Sequence, residues 1–145
     1  MIAKSVVLAC SAERAFALFT EHAGKWWPRE RRHTGDAASV IRIEASGRFF
    51  ERAHDGVEVE LGAVRVFEPA QRLILDWYPG TGATFPTRVE VTFEPVAGGT
   101  QVTVVHETGA ARPDLFSDNA AGYRRSWDQV FASLAAYAAA PCVDY

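Results

Sequence analysis

Read as a pattern of apolar and polar positions, the chain falls into three parts. Ile2 to Ala9 is an apolar, valine-rich run and predicts a strand. Ser11 follows as a helix N-cap, with Glu13 in the first turn. Ala12, Phe16, Phe19 and Ala23 then recur at helical spacing. Gly24 breaks that helix, and Lys25, Trp26 and Trp27 form a second short turn or its end, stopped by Pro28. Residues 29–38 read as loop.

From Ser39 the period changes to two. "SVIRIEA", "GRFFERA", "VEVELGAVRVFEP", "QRLILDWYP", "TRVEVTFEP" and "TQVTVVHE" predict a run of six strands, separated by turn signals such as His54-Asp55-Gly56. Within the third of these the apolar parity slips: Val57, Val59 and Leu61 are odd-numbered, whereas Val64 and Val66 are even. A bulge at Gly62–Ala63 would repair the register. In "QRLILDWYP" Leu73, Leu75 and Trp77 share a face, as do Val89, Val91 and Phe93 in the next strand, and Val102, Val104 and His106 in the last.

The third part is helical. Ser117 is the expected N-cap, and Tyr123, Trp127, Val130, Leu134 and Tyr137 define one face of a helix from Asp118 to Ala139. Such a helix is about 33 Å long. Strand, short helices, strands and long helix together make an α+β fold: a curved antiparallel sheet of about six or seven strands wrapped around the C-terminal helix, with two short helices after the first strand. A curved sheet cannot fill its whole concavity with one helix, so a hollow ringed by indoles is expected between the two.

Composition narrows the function. The 145 residues, 48% hydrophobic and 23% charged, suit a single soluble domain over 1–145. A net charge of −3 argues against nucleic acid as a partner, and no apolar run reaches the ~20 residues of a membrane span. The N-terminus lacks the long apolar region of a secretory signal, so a cytoplasmic protein is expected. Cys10 and Cys142 form neither a metal spacing nor a redox pair, and the four histidines are dispersed, so no metal or cofactor is expected. The apolar stripes account for one core, consistent with a monomer or weak homodimer.

Trp77, His106, Tyr123 and Trp127 would ordinarily be core residues. Taken together with Trp26 and Trp27, they could instead surround one apolar pocket with His106 as its titratable element. Arg48, Asp76, Arg88, Glu90 and Glu107 could face inward as polar groups of such a pocket, although a solvated strand face is the ordinary reading for each.

The order "VVLACSAERAFALFT…WWP", "GRFFERAHDG…LGAVRVFEPAQRLILDW", "GTQVTVVHE" and "SWDQVFASLAAY" resembles the SRPBCC (START/Bet v 1-like) superfamily. Within it the similarity is to the group related to the C-terminal domain of the activator of Hsp90 ATPase. The resemblance runs from about Val6 to Tyr137 and implies a helix-grip fold over a hydrophobic cavity. It implies binding of a small hydrophobic or aromatic molecule, with Trp26, Trp27, Phe50, Trp77, Val91, His106, Tyr123 and Trp127 as the lining. Two alternatives come with it: a cavity enzyme of polyketide cyclase or aromatase type using His106 as acid or base, and an Hsp90-related co-chaperone or interaction domain. One departure is Ser126 before Trp127, where the family often has glycine.

Overall fold

A computed structural model of the chain describes residues 1–139; Cys142 lies outside them. Seven strands form one sheet: β1 (Ile2–Leu8), β2 (Val40–Ile43), β3 (Arg48–Arg52), β4 (Glu58–Glu68), β5 (Arg72–Trp77), β6 (Thr87–Val96) and β7 (Gly99–Glu107). Their order is β1-β7-β6-β5-β4-β3-β2, with every pair antiparallel. The chain walks across the sheet by hairpins from β2 to β7, and β1 closes against β7. This is the expected helix-grip arrangement of a curved sheet, one long helix and short helices after β1.

The period-two faces explain the core. Leu73, Leu75, Val89, Val91, Val102 and Val104 are all fully buried on the inner face. Their neighbours Arg88, Glu90 and Glu107 pair with one another on the outer face, as does Asp76 with Arg65. The parity slip in β4 is accommodated twice rather than once. Pairing with β3 skips Leu61, and pairing with β5 skips Arg65, so two irregularities flank the expected bulge at Gly62–Ala63. Each extra residue bends β4 and increases its twist.

Helix α1 (Ala12–Phe19) is capped by Ser11, whose Oγ accepts from the Arg14 amide. Its Phe16 meets Phe67 and Phe93 edge-on, each at 5.1 Å between ring centroids. A 3-10 turn over Ala23–Lys25 follows, and Gly24 there lies against the start of β2. A Cβ on Gly24 would stand 2.7 Å from the Ile41 amide nitrogen, so no larger residue fits. A second 3-10 turn, Arg29–Arg31, interrupts the expected loop.

Helix α2 (Pro113–Ala139) begins four residues before the expected Ser117 cap. Proline at the first helical position has no amide to satisfy and a preset φ, so Pro113 starts the helix instead of ending what precedes it. Tyr123, Trp127, Val130 and Leu134 are buried as the helical spacing requires, and Tyr137 packs partly buried at the end of the same stripe. No described helix is long and apolar enough to cross a membrane.

Candidate functional site

The interior of the grip holds a continuous row of rings. Trp26 and Trp27 lie 5.4 Å apart, Trp27 touches Phe49 at 6.5 Å, Phe49 meets Trp77 at 5.2 Å, and Trp77 meets Trp127 at 5.0 Å. The expected hollow ringed by indoles is therefore largely filled by the indoles themselves. What remains is a cleft of about 340 Å³ alongside the middle of the row, between α2 and strands β3, β4 and β5. Trp27, Phe49, Leu61, Trp77 and Tyr123 form its apolar wall. Gly122 and Ser126 of α2 line one side, and Glu30, Arg31, Arg32 and His33 line the mouth.

The two tryptophans divide their roles. Trp26 points beneath the helices, donates its indole N–H to the Leu18 carbonyl at 2.8 Å and rests on Phe19. Its own carbonyl accepts from Ser133 of α2. Trp27 faces the cleft. Of the other expected lining residues, Trp77 and Tyr123 reach the cleft, whereas Val91 and Trp127 are buried behind it. Phe50 is on the wrong face. The irregularity beside it turns Phe49 inward opposite Gly62, and Phe50 projects outward beneath the guanidinium groups of Arg48 and Arg52, 4.0 and 5.0 Å from its ring centre. Those two cations keep Phe50 buried on a polar surface.

His106 is a core histidine. It has no exposed surface and does not reach the cleft, standing behind Tyr123 with 4.2 Å between ring centroids. Trp127 Nε1 can only donate, and it lies 3.0 Å from His106 Nδ1, so Nδ1 accepts and the ring proton sits on Nε2. Nε2 in turn donates to Thr87 Oγ1 at 2.8 Å, and that hydroxyl faces the Trp77 carbonyl at 3.4 Å. Burial, with the N-terminal amine adding to it, pushes the imidazole down to about 4. A ring that is neutral at pH 7, with both nitrogens committed, is a poor general acid or base.

Sequence reasoning missed the second buried ionisable group. Glu51 has no exposed surface and binds the mouth loop: Oε1 accepts from the His33 amide at 2.7 Å, and Oε2 from the Thr34 amide, the Thr34 hydroxyl and the Ser39 hydroxyl. Burial alone would raise its pKa, but these hydrogen bonds outweigh it and hold the carboxyl below its ordinary value. Arg32 completes the clamp by donating to the carbonyls of Gly24, Trp27 and Ser39. Phe49, Leu61, Gly122 and the arginines of the mouth were equally invisible by pattern. Only the parity slip in β4 hinted that inward and outward positions change near Leu61. Among the described residues no cluster of His, Cys, Asp and Glu could hold a metal ion.

Residues 9–139 match the family described as Activator of Hsp90 ATPase homolog 1-like protein. The chain belongs to this family. Solved structures with the same fold include CalC from Micromonospora echinospora, described as a self-sacrificing resistance protein (21% identity, 94% of this chain and 92% of that one, TM-score 0.69). Txn09, an anthrahydroquino-gamma-pyrone synthase, is 25% identical over 93% of this chain and 94% of its own, with a TM-score of 0.61. NE0264 from Nitrosomonas europaea is 14% identical over 94% and 92%, with a TM-score of 0.67. No curated protein matches the chain in sequence. Family membership agrees with the helix-grip geometry and with the resemblance carried by the tryptophan pair and the Gly62 to Trp77 stretch.

Proposed function

We propose that the protein binds a small aromatic molecule in the cleft between α2 and the β3–β5 edge. The observation that carries this reading is the wall of that cleft: four aromatic residues, Trp27, Phe49, Trp77 and Tyr123, around about 340 Å³ of space. Ligand sites are mostly apolar, run from roughly 300 to 1,000 Å³ and carry a few polar groups that set orientation. This cleft is at the small end of that range, which favours a compact planar ligand over a lipid. Flat rings stack on indole and phenol faces with little loss of side-chain freedom, because the wall is already held by its neighbours. The kinship of Txn09, whose name contains a fused aromatic, supports the same class.

A wider recess of about 630 Å³ lies at the other end of the molecule, over Phe16, Ile43 and Phe67. No tryptophan lines it, and it is the weaker candidate for an aromatic ligand. Binding is favoured over cavity catalysis because His106, the residue a cyclase reading would need, lies behind the wall with its nitrogens engaged.

The test is an NMR titration of the indole N–H signals with a panel of one- to three-ring aromatic compounds. Trp27 and Trp77 should shift first, with Trp26 least affected. If no compound in the panel moves any of the four signals, the reading is wrong.

A further inference from the structure

The proposed site has an asymmetry that bears on what its ligand carries. Arg31 lines the mouth of the cleft, and its Nε donates to Gln129 Oε1 of α2 at 2.7 Å. That bond spans from the 3-10 turn to the helix and orients the guanidinium. The two terminal amino groups of Arg31 make no hydrogen bond or ion pair among the described residues. The other arginine at the mouth is spent differently: Arg32 gives its terminal amino groups to backbone carbonyls and to Ser39, and its charge stands close to that of Glu51. Glu30 also lines the mouth, but it is exposed and no hydrogen bond among the described residues holds it there. The cleft therefore presents one oriented fork of donors, with no ion-pair partner among the described residues, beside a wall of rings.

A guanidinium fork held at Nε matches a planar or tetrahedral oxyanion end-on, through two parallel N–H···O bonds. Resting on the proposed aromatic-binding role of this cleft, we infer that its ligand is an aromatic acid: rings against Trp27 and Trp77, and a carboxylate or sulfonate on the terminal amino groups of Arg31. Arg31 is then the specificity-determining residue, and Gln129 the residue that positions it.

Two fluorescent probes of nearly the same shape separate the claims. 8-Anilinonaphthalene-1-sulfonate carries the anion, and N-phenyl-1-naphthylamine is the same ring system without it. The wild-type protein should prefer the sulfonate by about fivefold or more, as a charge-assisted pair in a half-open site provides. The preference should weaken as salt is raised, with the neutral probe unaffected. Arg31→Met keeps most of the bulk and should bring the ratio of the two affinities close to one, and Gln129→Ala should lower it part-way. Thermal melts of both variants report folding independently, and the salt titration on wild-type protein needs no variant at all. Equal, salt-independent binding of both probes overturns the inference and leaves aromatic binding standing. A preference that survives Arg31→Met overturns the assignment to Arg31. Failure of both probes to bind counts against the aromatic reading itself, and the inference falls with it.

Discussion

Gly122 offers a test in which stability and binding should move in opposite directions. It sits in the middle of the 27-residue helix α2, where glycine costs about 0.5–1 kcal/mol relative to alanine. A tight contact usually explains a glycine at such a position. Here there is none: a Cβ built on Gly122 meets no atom within 4 Å outside its own helical turn. The space beside it is the cleft. Gly122→Ala should therefore raise stability by about 0.5–1 kcal/mol, or roughly 1–4 °C in melting temperature for a domain of this size. Leucine has nearly the helix propensity of alanine, so Gly122→Leu should be about as stable while its side chain occupies the cleft. Thermal melts give the first quantity and aromatic-probe titration the second. Binding should fall modestly in Gly122→Ala and by tenfold or more in Gly122→Leu. Loss of binding through misfolding would lower both quantities together, so it cannot imitate this result. If Gly122→Ala destabilises the protein, the helix is not packed as described. If Gly122→Leu is stable and binds as wild type, the cleft is not where the ligand sits.

Two further outcomes follow from the buried ionisable groups. His106, held down at about 4 against an ordinary 6.5, is protonated in the unfolded chain before it is in the folded one, so its contribution to stability is complete above about pH 6.5 and is lost as the pH falls toward 4. By pH 4.5 the loss should reach about 2–3 kcal/mol. His106→Gln, whose amide can donate to Thr87 and accept from Trp127, should flatten that slope in urea melts between pH 7 and 4.5; an unchanged slope would assign the acid sensitivity elsewhere. Glu51→Gln sets an NH₂ among four donors and should cost about 2–3 kcal/mol, with faster amide exchange at His33 and Thr34; exchange left unchanged would show that the mouth loop does not depend on Glu51.

Much of this fold was legible because its periods are clean. Leu73-Leu75-Trp77, Val89-Val91-Phe93 and Val102-Val104-His106 alternate without interruption, and burial follows the alternation residue by residue. The stripe from Tyr123 to Leu134 did the same for α2. The illegible parts are those where two readings satisfy the same local rule. Adjacent phenylalanines at 49 and 50 place one ring on each face whichever way the strand is turned, and the choice was made by an extra residue in the neighbouring strand. Pro113 marks a boundary equally well as the end of a loop or the first residue of a helix. His106 was correctly placed on an apolar face, but its partners Thr87 and Trp127 lie 19 and 21 residues away and come together only in three dimensions. Glu51 carries no local signal, because its partners His33, Thr34 and Ser39 lie 12 to 18 residues away and meet it only when the loop folds over β3.

The same distinction bears on where selectivity can reside. The polar chain from Trp127 through His106 and Thr87 to the Trp77 carbonyl is closed, so a ligand that broke into it would leave a buried donor or acceptor unpaired, at a cost of about 1–3 kcal/mol each. The ring row in front of it is in mutual contact from Trp26 to Trp127, so a ligand cannot enter without prising rings apart in a close-packed interior. Depth is thus closed to the ligand on both chemical and steric grounds. The wall can distinguish a ring from a chain, but one indole face receives most flat rings alike. On the proposed aromatic-binding role, discrimination among aromatic compounds falls to the groups at the mouth that the fold has not already used, and Arg31, held at Nε by Gln129 with its two terminal amino groups open, is the group there already oriented toward a ligand.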